Sequence, residues 1–421
     1  MTDRRRTAIY AAIIGCLLAG LITGRGFFFN VAYAFAGLLV LSFVWVQAGI
    51  SWLRLGRQTR ARRAQVGRTL EERFTVQNTS LLPKLWLEVY DESTLPGHHA
   101  SHVVSTMGPH AEKSWPVRTL CVQRGEFVLG PLRVVNSDPF GLFEVERQIN
   151  ATTRLVVYPS TVDVVQFALP VGLLPGGEAI RRRTHTITTN ASGVREYAPG
   201  DSLSRIHWRS SARRERLIVK EFELDPLADI WIALDAEGAV HYAAPPHPAD
   251  GDRPAWEWQN AGTFALPPTT EEYAVSSAAS LAQYFLRKDR SVGFVTHGQR
   301  REVIQVDRGP RQLTKIMETL ALFRADGHMP LDQLLTLEAD QLARGTTLVV
   351  VTPSTREGWG EVAHRLAHRG VRVIAVLVDS ESFGGRPGVR RVAATLAAIN
   401  VPTYVVRRGD DLAVALSHQQ V

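Results

Sequence analysis

Apolar and polar residues follow three different patterns along the chain, and each pattern predicts a different kind of element. Near the N-terminus, residues 9–23 and 27–53 are uncharged and mostly apolar. Residues 64–170 hold short segments of alternating polarity bounded by turn residues, which are typical of β-strands. From residue 229 to residue 421, continuous apolar segments alternate with amphipathic helical patterns, which favours an α/β domain.

The two N-terminal apolar segments predict a helical hairpin in a membrane. A helix needs about 20 residues to cross the hydrocarbon core; residues 27–53 exceed this length, and residues 9–23 reach it with their neighbours. A cleaved signal peptide is the alternative for the first segment. We favour the hairpin because no small-residue cleavage site precedes a polar start, and a second apolar segment follows at once. Residues 1–63 are assigned to this hairpin and its basic flanks.

Arginines on either side of the hairpin predict its direction. Three precede the first helix, five follow the second helix, and the connecting loop holds only Arg25. The flanking arginines are Arg4, Arg5, Arg6, Arg54, Arg57, Arg60, Arg62 and Arg63. Basic flanks stay on the cytoplasmic side of a membrane. We therefore expect a two-pass cell-membrane protein with cytoplasmic soluble domains.

Residues 64–170 predict a β-sandwich of immunoglobulin-like size, because five or six short strands follow one another at close spacing. The expected strands are residues 70–76, 84–90, 102–106, 113–121, 126–135 and 154–158.

Two loops of this region hold candidate features. His98, His99 and His102 lie close together in sequence, and we expect a solvent-exposed loop there because no partner carboxylate or cysteine is in register. Residues 138–143, Asp-Pro-Phe-Gly-Leu-Phe, predict a turn with both phenylalanines packed beneath it.

The C-terminal half predicts a parallel sheet covered by helices on both faces. The expected strands are residues 229–235, 291–296, 346–352, 371–378 and 403–406, with an edge strand at 301–306; the expected helices are residues 271–288, 313–324, 360–368 and 389–399. Residues 240–270 form a Pro-rich and Ala-rich insertion with Trp256, Trp258 and Phe264. These aromatic residues either anchor a partner or fold back over the sheet edge.

A connector, residues 171–228, carries the most distinctive motif. It reads Gly-Val-Arg-Glu-Tyr-Ala-Pro-Gly-Asp from Gly193, then Arg-Ile-His-Trp from Arg205, Ala-Arg at 212–213 and Glu-Phe-Glu at 221–223. The Pro-Gly-Asp segment is a turn. Residues 202–212 predict a short helix that carries Ile206 and Trp208 inward.

This motif, together with the turn at 138–143, resembles the bacterial domain-of-unknown-function-58 family over nearly the whole chain. The resemblance implies a C-terminal domain similar to a von Willebrand factor A domain, which is Rossmann-like. It also implies partnership with a MoxR-type AAA ATPase or a transglutaminase-like membrane protein. The fold class we expect is thus multidomain: a transmembrane hairpin, an immunoglobulin-like β-sandwich and an α/β von Willebrand factor A-like domain at 229–421.

Two interpretations of the motif stay open. In one, its polar residues form a partner-binding or anion-binding face; in the other, Arg–Asp and Arg–Glu pairs fix the turn against the next domain. The candidate partner-binding residues are Arg195, Glu196, Tyr197, Gly200, Asp201, Arg205, His207, Trp208 and Arg213. Nearby, residues 181–183 are three arginines that either touch anionic lipid or form a solvated loop.

Asp235 is the candidate metal ligand, because ligands of parallel sheets bind at the carboxyl ends of strands. In a von Willebrand factor A domain this strand end begins an Asp-x-Ser-x-Ser metal site, and hard oxygen ligands suit Mg²⁺. Here the segment is Asp-Ala-Glu-Gly-Ala, so both serines are replaced. The strand ending at Val351 continues Thr-Pro-Ser instead of supplying an acidic residue. We expect a degraded site that binds no cofactor.

Charge and cysteine content restrict the function further. The formal net charge is +7, but residues 1–63 hold nine arginines and one aspartate, and residues 181–220 hold ten basic and three acidic residues, so the rest is net acidic. This distribution and the scarcity of aromatic residues in the basic segment disfavour nucleic-acid binding. Cys16 lies in the apolar segment and Cys121 in a predicted strand. A membrane position and a soluble position cannot form a disulfide within one chain, and the lack of a disulfide framework suits a reducing compartment.

No catalytic motif stands out. The chain has no Gly-x-Ser-x-Gly elbow, phosphate-binding Gly-rich loop with Lys, His-Glu-x-x-His or Cys-x-x-Cys. We therefore expect a non-enzymatic, membrane-anchored scaffold or adaptor that faces the cytoplasm and contacts a protein partner and membrane lipids. The alternatives are a metal-dependent adhesion receptor facing outside and an uncharacterised enzyme.

Overall fold

Two long helices lead the chain in the computed structural model, which describes residues 2–167, 191–197, 206–222, 229–245 and 265–419. Helix α1 spans Thr2–Thr23 and α2 spans Gly26–Ile50. They pack closely, since a Cβ on Gly20 would lie 3.0 Å from the Phe29 ring. Both helices are long and apolar enough to cross a membrane, which weakly indicates membrane association.

The last two turns of α2 pack on the following β-rich domain instead of standing free. Ser42, Val46 and Ile50 are buried at a spacing of four residues, so one face of α2 is covered. Asn136 donates a hydrogen bond of 3.0 Å to the Val46 carbonyl oxygen. Lys84 donates to the Ala48 carbonyl oxygen and, at 3.2 Å, to that of Ser51. The predicted hairpin boundary at residue 63 is wrong, because a strand of the β-rich domain already begins at Leu53.

Ten strands in three sheets form the β-rich domain in the described residues. The strands are β1 Leu53–Thr59, β2 Arg63–Gln65, β3 Thr69–Asn78, β4 Lys84–Asp91, β5 His102–Met107, β6 Glu112–Leu120, β7 Gly125–Leu129, β8 Leu132–Ser137, β9 Glu144–Ile149 and β10 Thr153–Tyr158. Sheet orders are β1-β3-β6, β2-β10-β7 and β5-β4-β8-β9. Helix α2 contacts the last of these sheets.

The predicted strand at 126–135 is in fact two strands in different sheets. The break falls at Gly130, whose φ of +83° lies in the left-handed region. A Cβ there would lie 2.5 Å from the Ala151 carbonyl oxygen, so the bend requires glycine. Strands β1, β2 and β9 are not visible in the polarity pattern, since charged residues interrupt them.

A buried cluster of charges inside this domain corrects two further predictions. Arg57, expected as a membrane flank, has a side chain only 2% exposed that pairs with Glu72 and Asp91. His98, expected on an exposed loop, is 1% exposed; its Nε2 lies 2.7 Å from Asp91 Oδ2 and its Nδ1 lies 2.7 Å from Thr119 Oγ1. Burial acts to raise the pKa of Asp91, but hydrogen bonds from His98 and Ser93 and the charge of Arg57 bring it below its ordinary value.

The motif segment contributes a small hairpin and one helix. Strand β11 spans Ala191–Glu196, helix α3 spans Trp208–Arg214 and strand β12 spans Ile218–Phe222. Strands β11 and β12 pair antiparallel. The arginines at 181–183 lie outside the described residues.

The C-terminal half is an α/β domain, as predicted. Its strands are β13 Ile230–Leu234, β14 Val292–His297, β15 Arg301–Asp307, β16 Thr347–Thr352, β17 Arg372–Val378 and β18 Thr403–Val406. They form one sheet in the order β15-β14-β13-β16-β17-β18, parallel except for the antiparallel edge strand β15.

Helices cover this sheet on both faces, and two separate apolar cores result. The helices are α4 Thr270–Arg287, α5 Pro310–Leu322, α6 Leu331–Glu338, α7 Gly358–His368, α8 Val389–Ala398 and α9 Leu412–Ala415. Helices α6 and α9 are additions to the prediction. The ends of the insertion meet, since the Ala244 N–H donates to the Pro268 carbonyl oxygen at 2.9 Å. Trp256, Trp258 and Phe264 lie outside the described residues.

Candidate functional site

The carboxyl ends of β13 and β16 bring Asp235 beside Thr352, as the rule for parallel sheets predicts. The Asp235 N–H donates to the Val351 carbonyl oxygen at 3.0 Å, which fixes the two strand ends together. Asp235 Oδ2 accepts a hydrogen bond of 2.6 Å from Thr352 Oγ1, and Oδ1 accepts one of 3.0 Å from the Glu237 N–H. The residue is 1% exposed. Burial raises the pKa of Asp235 to about 6, although these hydrogen bonds act to lower it.

An ion pair occupies the space next to this carboxylate. Arg356 Nη2 lies 2.7 Å from Glu237 Oε1, and Nη1 donates to Oε2 at 2.9 Å, so the contact is bidentate. The Glu237 side chain is 6% exposed and that of Arg356 is 50% exposed. The charge of Arg356 also acts on Asp235, but this guanidinium is already paired with Glu237.

These donors do not fit a Mg²⁺ cage. Both oxygens of Asp235 already accept hydrogen bonds, and Glu237 is turned towards Arg356. Within the part of the chain that the structure describes, no three His, Cys, Asp or Glu residues form a group that could hold a metal ion. That Asp235 belongs to a degraded site without a metal stays a prediction.

A shallow pocket of about 90 Å³ opens beside the ion pair. Arg356, Arg386, Thr355 and Ser380 supply its polar lining, and Tyr242 closes one side. Two guanidinium groups and two hydroxyl groups suit a small anionic group, because arginine binds carboxylates and phosphates with paired hydrogen bonds. Arg356 is paired with Glu237, so the pocket is less positive than two unpaired arginines would make it.

A series of polar contacts connects the carboxyl end of β13 with the β-rich domain. His241 Nε2 lies 3.1 Å from the Asp235 carbonyl oxygen, and His241 Nδ1 lies 3.2 Å from Thr270 Oγ1 at the start of α4. Burial lowers the pKa of His241. The next two residues of α4, Glu271 and Glu272, pair with Arg124 from the loop between β6 and β7.

Arg124 is the principal contact across this boundary. Its side chain is 0% exposed. Besides the two carboxylates, it donates to the Leu320 carbonyl oxygen at 3.1 Å and to that of Phe323 at 2.8 Å, at the end of α5. Burial raises the pKa of Glu272, while Arg124 opposes this. The sequence pattern singles out neither Arg124 nor His241. The carboxylate partners of Arg124 lie 147 and 148 residues away, and His241 contacts a backbone carbonyl and a threonine 29 residues away.

The motif that begins at Gly193 forms a second candidate site. In the hairpin, Arg195 is in register with Val219 and Glu196 with Ile218. The Glu196 carboxylate pairs with Arg216, and the half-buried Tyr197 donates its N–H to the Leu217 carbonyl oxygen at 2.9 Å. The structure therefore shows an Arg–Glu pair within the hairpin. Gly200, Asp201 and Arg205 lie outside the described residues, as does the side chain of Arg195.

Helix α3 begins with a side-chain cap. His207 Nδ1 accepts a hydrogen bond of 3.1 Å from the Ser210 N–H, which satisfies one free donor of the first turn. Ser211 Oγ accepts a hydrogen bond of 2.9 Å from the Ile218 N–H and so attaches the helix to β12. Ile206 is buried, as predicted, but Trp208 is 67% exposed and the prediction that it points inward is wrong. Trp208 is the first residue of a helix of only seven residues, which does not cover it.

The exposed face of α3 is basic and aromatic. Arg209 and Arg213 are exposed on the same helix as Trp208. Of the predicted site residues in the described part of the chain, the structure places Glu196, Tyr197, His207, Trp208 and Arg213 on this hairpin and helix. It does not place them beside the pocket at Arg356.

The fold and these sites define a protein with two apolar N-terminal helices, a β-rich domain and an α/β domain. The family described as "Protein of unknown function DUF58" matches residues 193–247, which contain the motif and strand β13. "Uncharacterized protein YeaD" of Bacillus subtilis (strain 168) is 23% identical over 267 residues, which are 62% of this chain and 58% of YeaD. These two matches support a DUF58-family protein, and the chain spans less than two thirds of the length of this relative.

Solved structures give weaker likenesses. The CARDB domain of the PF1109 protein from Pyrococcus furiosus is 15% identical with a TM-score of 0.19, over 25% of this chain and 86% of that domain. Proximal thread matrix protein 1 from the mussel byssus is 14% identical with a TM-score of 0.30, over 45% of this chain and 46% of that protein. At such scores neither likeness assigns a fold, so similarity to a von Willebrand factor A domain stays a prediction.

Proposed function

We propose that this DUF58-family protein is a membrane-anchored adaptor whose soluble domains face the cytoplasm and bind a protein partner. Two apolar helices long enough to span a bilayer support the anchor. The arginines before α1, against a single arginine in the loop between the helices, support the orientation. The α/β domain acts as a von Willebrand factor A-like binding module, in which the Glu237–Arg356 pair stands where a metal site would lie.

The exposure of Trp208 carries the proposal for the partner-binding face. Large aromatic residues at 67% exposure are unusual on a protein surface, and tryptophan and arginine supply most binding hot spots. Trp208, Arg209 and Arg213 share α3, and the cap at His207 together with the Ser211 contact holds that helix to β12. By the family resemblance, the partner is a MoxR-type AAA ATPase or a transglutaminase-like membrane protein.

Substitution of Trp208 tests this face. Trp208→Ala should weaken binding to the MoxR-type ATPase by about 30-fold, if Trp208 is a hot spot worth about 2 kcal/mol. Binding would be measured with the detergent-purified full chain on a surface sensor. Trp52→Ala is the matched control, because Trp52 is also a highly exposed tryptophan, at 61%, but follows α2 and is not part of α3. Equal affinities for the two variants and the unchanged protein would refute the assignment of α3 as the docking face.

A further inference from the structure

The turn Asp138–Phe143 lies where the apolar hairpin meets the β-rich domain. Arg5 of α1 donates a hydrogen bond of 3.3 Å to the Phe140 carbonyl oxygen. The guanidinium carbon of Arg6 lies 5.0 Å from the centre of the Phe143 ring. The Phe143 ring also contacts Phe43 of α2, with ring centres 5.7 Å apart. One short turn is therefore in contact with both helices at the same level.

The turn is rigid and holds one aromatic side chain outward. The buried Asp138 carboxylate accepts hydrogen bonds from the N–H groups of Phe140, Leu142 and Phe143 at 3.0, 2.7 and 2.6 Å. Gly141 has a φ of +65°, and a Cβ there would lie 2.6 Å from Arg5 Nη1. Leu142 packs inside at 3% exposure, whereas Phe140 is 54% exposed. The prediction that both phenylalanines pack beneath the turn is wrong for Phe140.

The levels of the charged residues locate a membrane boundary at this turn. Arg4, Arg5 and Arg6 begin α1, and Arg25 stands at the opposite end of the hairpin. Between these levels lie about 18 residues of α1, or about 27 Å at about 1.5 Å per residue, which is close to the thickness of a hydrocarbon core. Arginines at helix ends extend towards lipid headgroups, so Arg5 and Arg6 belong to the headgroup layer.

We propose that the turn 138–143 docks on the bilayer surface, with Phe140 inserted among the lipid headgroups. Phe140 lies beside the start of α1, where its carbonyl oxygen accepts a hydrogen bond from Arg5, and the neighbouring arginines complement anionic phospholipids. This inference rests on the proposed membrane anchor and adds a specific lipid contact to it. The part of α2 beyond Phe43 then lies outside the hydrocarbon, which agrees with the packing of Val46 and Ile50 on the β-rich domain.

Spin labels at three equally exposed positions test the contact. Single cysteines would replace Leu18, Phe140 and Leu82 in the full chain after Cys16→Ala and Cys121→Ala, in nanodiscs of phosphatidylethanolamine and phosphatidylglycerol. Their exposures are 54%, 54% and 53%. Leu18 reports the span. Leu82 reports the aqueous side, since its loop is attached through Thr79 to Trp52, beyond the end of α2. The readout is the ratio of collisions with lipid-soluble oxygen to collisions with a water-soluble nickel complex.

We expect a high ratio at position 18, a low ratio at position 82 and a ratio at position 140 nearer to that at 18. A ratio at 140 equal to that at 82 would place the turn in water and overturn the lipid contact, while the anchor would stand. Few collisions with both reagents at 140 would mean that protein covers it, which also overturns the contact. Equal ratios at 18 and 82 would overturn the anchor itself.

Discussion

Replacing Asp235 by asparagine should stabilise the protein at neutral pH. The carboxylate is 1% exposed, and the nearest guanidinium is already paired with Glu237. Asparagine is nearly the same shape and carries no charge to bury. Its oxygen can accept from the Glu237 N–H, and its amide can donate to Thr352 Oγ1, which lies 2.6 Å from the present Oδ2.

The magnitude follows from the pKa of Asp235. Burial raises this pKa from an ordinary 3.8 to about 6 in the folded protein. The folded state therefore holds a proton that the unfolded state loses between these values, so stability falls as pH rises through about 4 to 6. At about 1.4 kcal/mol per pH unit, the cost at neutral pH is about 3 kcal/mol. Removing it should raise Tm by roughly 6–12 °C for a domain of this size.

Thermal unfolding of the full chain in detergent, followed by tryptophan fluorescence, would measure this effect as a function of pH. The difference in Tm between Asp235→Asn and the unchanged protein should be small near about pH 4 and reach its full value above about pH 6. Asp379→Asn is the control, since this aspartate also follows a strand of the sheet but lies 3.5 Å from Arg407. It should bring no gain. A lower Tm for Asp235→Asn at neutral pH would refute the account of Asp235 as a buried charge under strain.

Two other substitutions test the buried polar groups. Arg124→Met should lower the free energy of unfolding by about 3–5 kcal/mol, because Glu271 and Glu272 lose their cation. Adding Glu271→Gln and Glu272→Gln should restore part of this free energy. An unchanged urea midpoint in the Arg124→Met variant would contradict this role. In the Cys16→Ser variant, Cys121 should not react with a maleimide at about pH 8 until the protein unfolds, because a thiolate is needed and burial raises the Cys121 pKa to about 11. Rapid labelling of the native protein, detected by mass spectrometry, would show that the segment directly after β6 opens.

The sequence pattern predicted the elements whose burial is decided by local periodicity. Strands β13, β16 and β17 are continuous apolar segments, and α4 and α5 carry apolar residues at helical spacing, so their positions agree with the structure within a few residues. The pattern failed where charged residues are buried. The pattern assigns strand β1 to a membrane flank, because Arg57 looks the same in a sequence whether it faces lipid headgroups or Glu72 and Asp91.

For the candidate sites, the sequence predicts single positions but not the residues that surround them in space. Asp235 followed from the rule that ligands bind at strand ends, which depends on topology alone. Its neighbours did not, because Arg356 and Glu237 are separated by 119 residues and meet only in the folded sheet. For Trp208 the hydrophobic side chain suggested burial, but a helix of seven residues has too little surface to cover its own first residue.

The short connection between α2 and β1 decides where a soluble version of this protein should begin. Only Ser51 and Trp52 separate the two elements, and β1 completes the edge of β3. A version cut at residue 64 would leave β3 with an open edge that invites aggregation. A cut near Leu53 would keep that edge closed but strip the carbonyl partners from Asn136 and Lys84. Truncation just before Ser42 would preserve both, because the last two turns of the helix would stay packed on the sheet β5-β4-β8-β9.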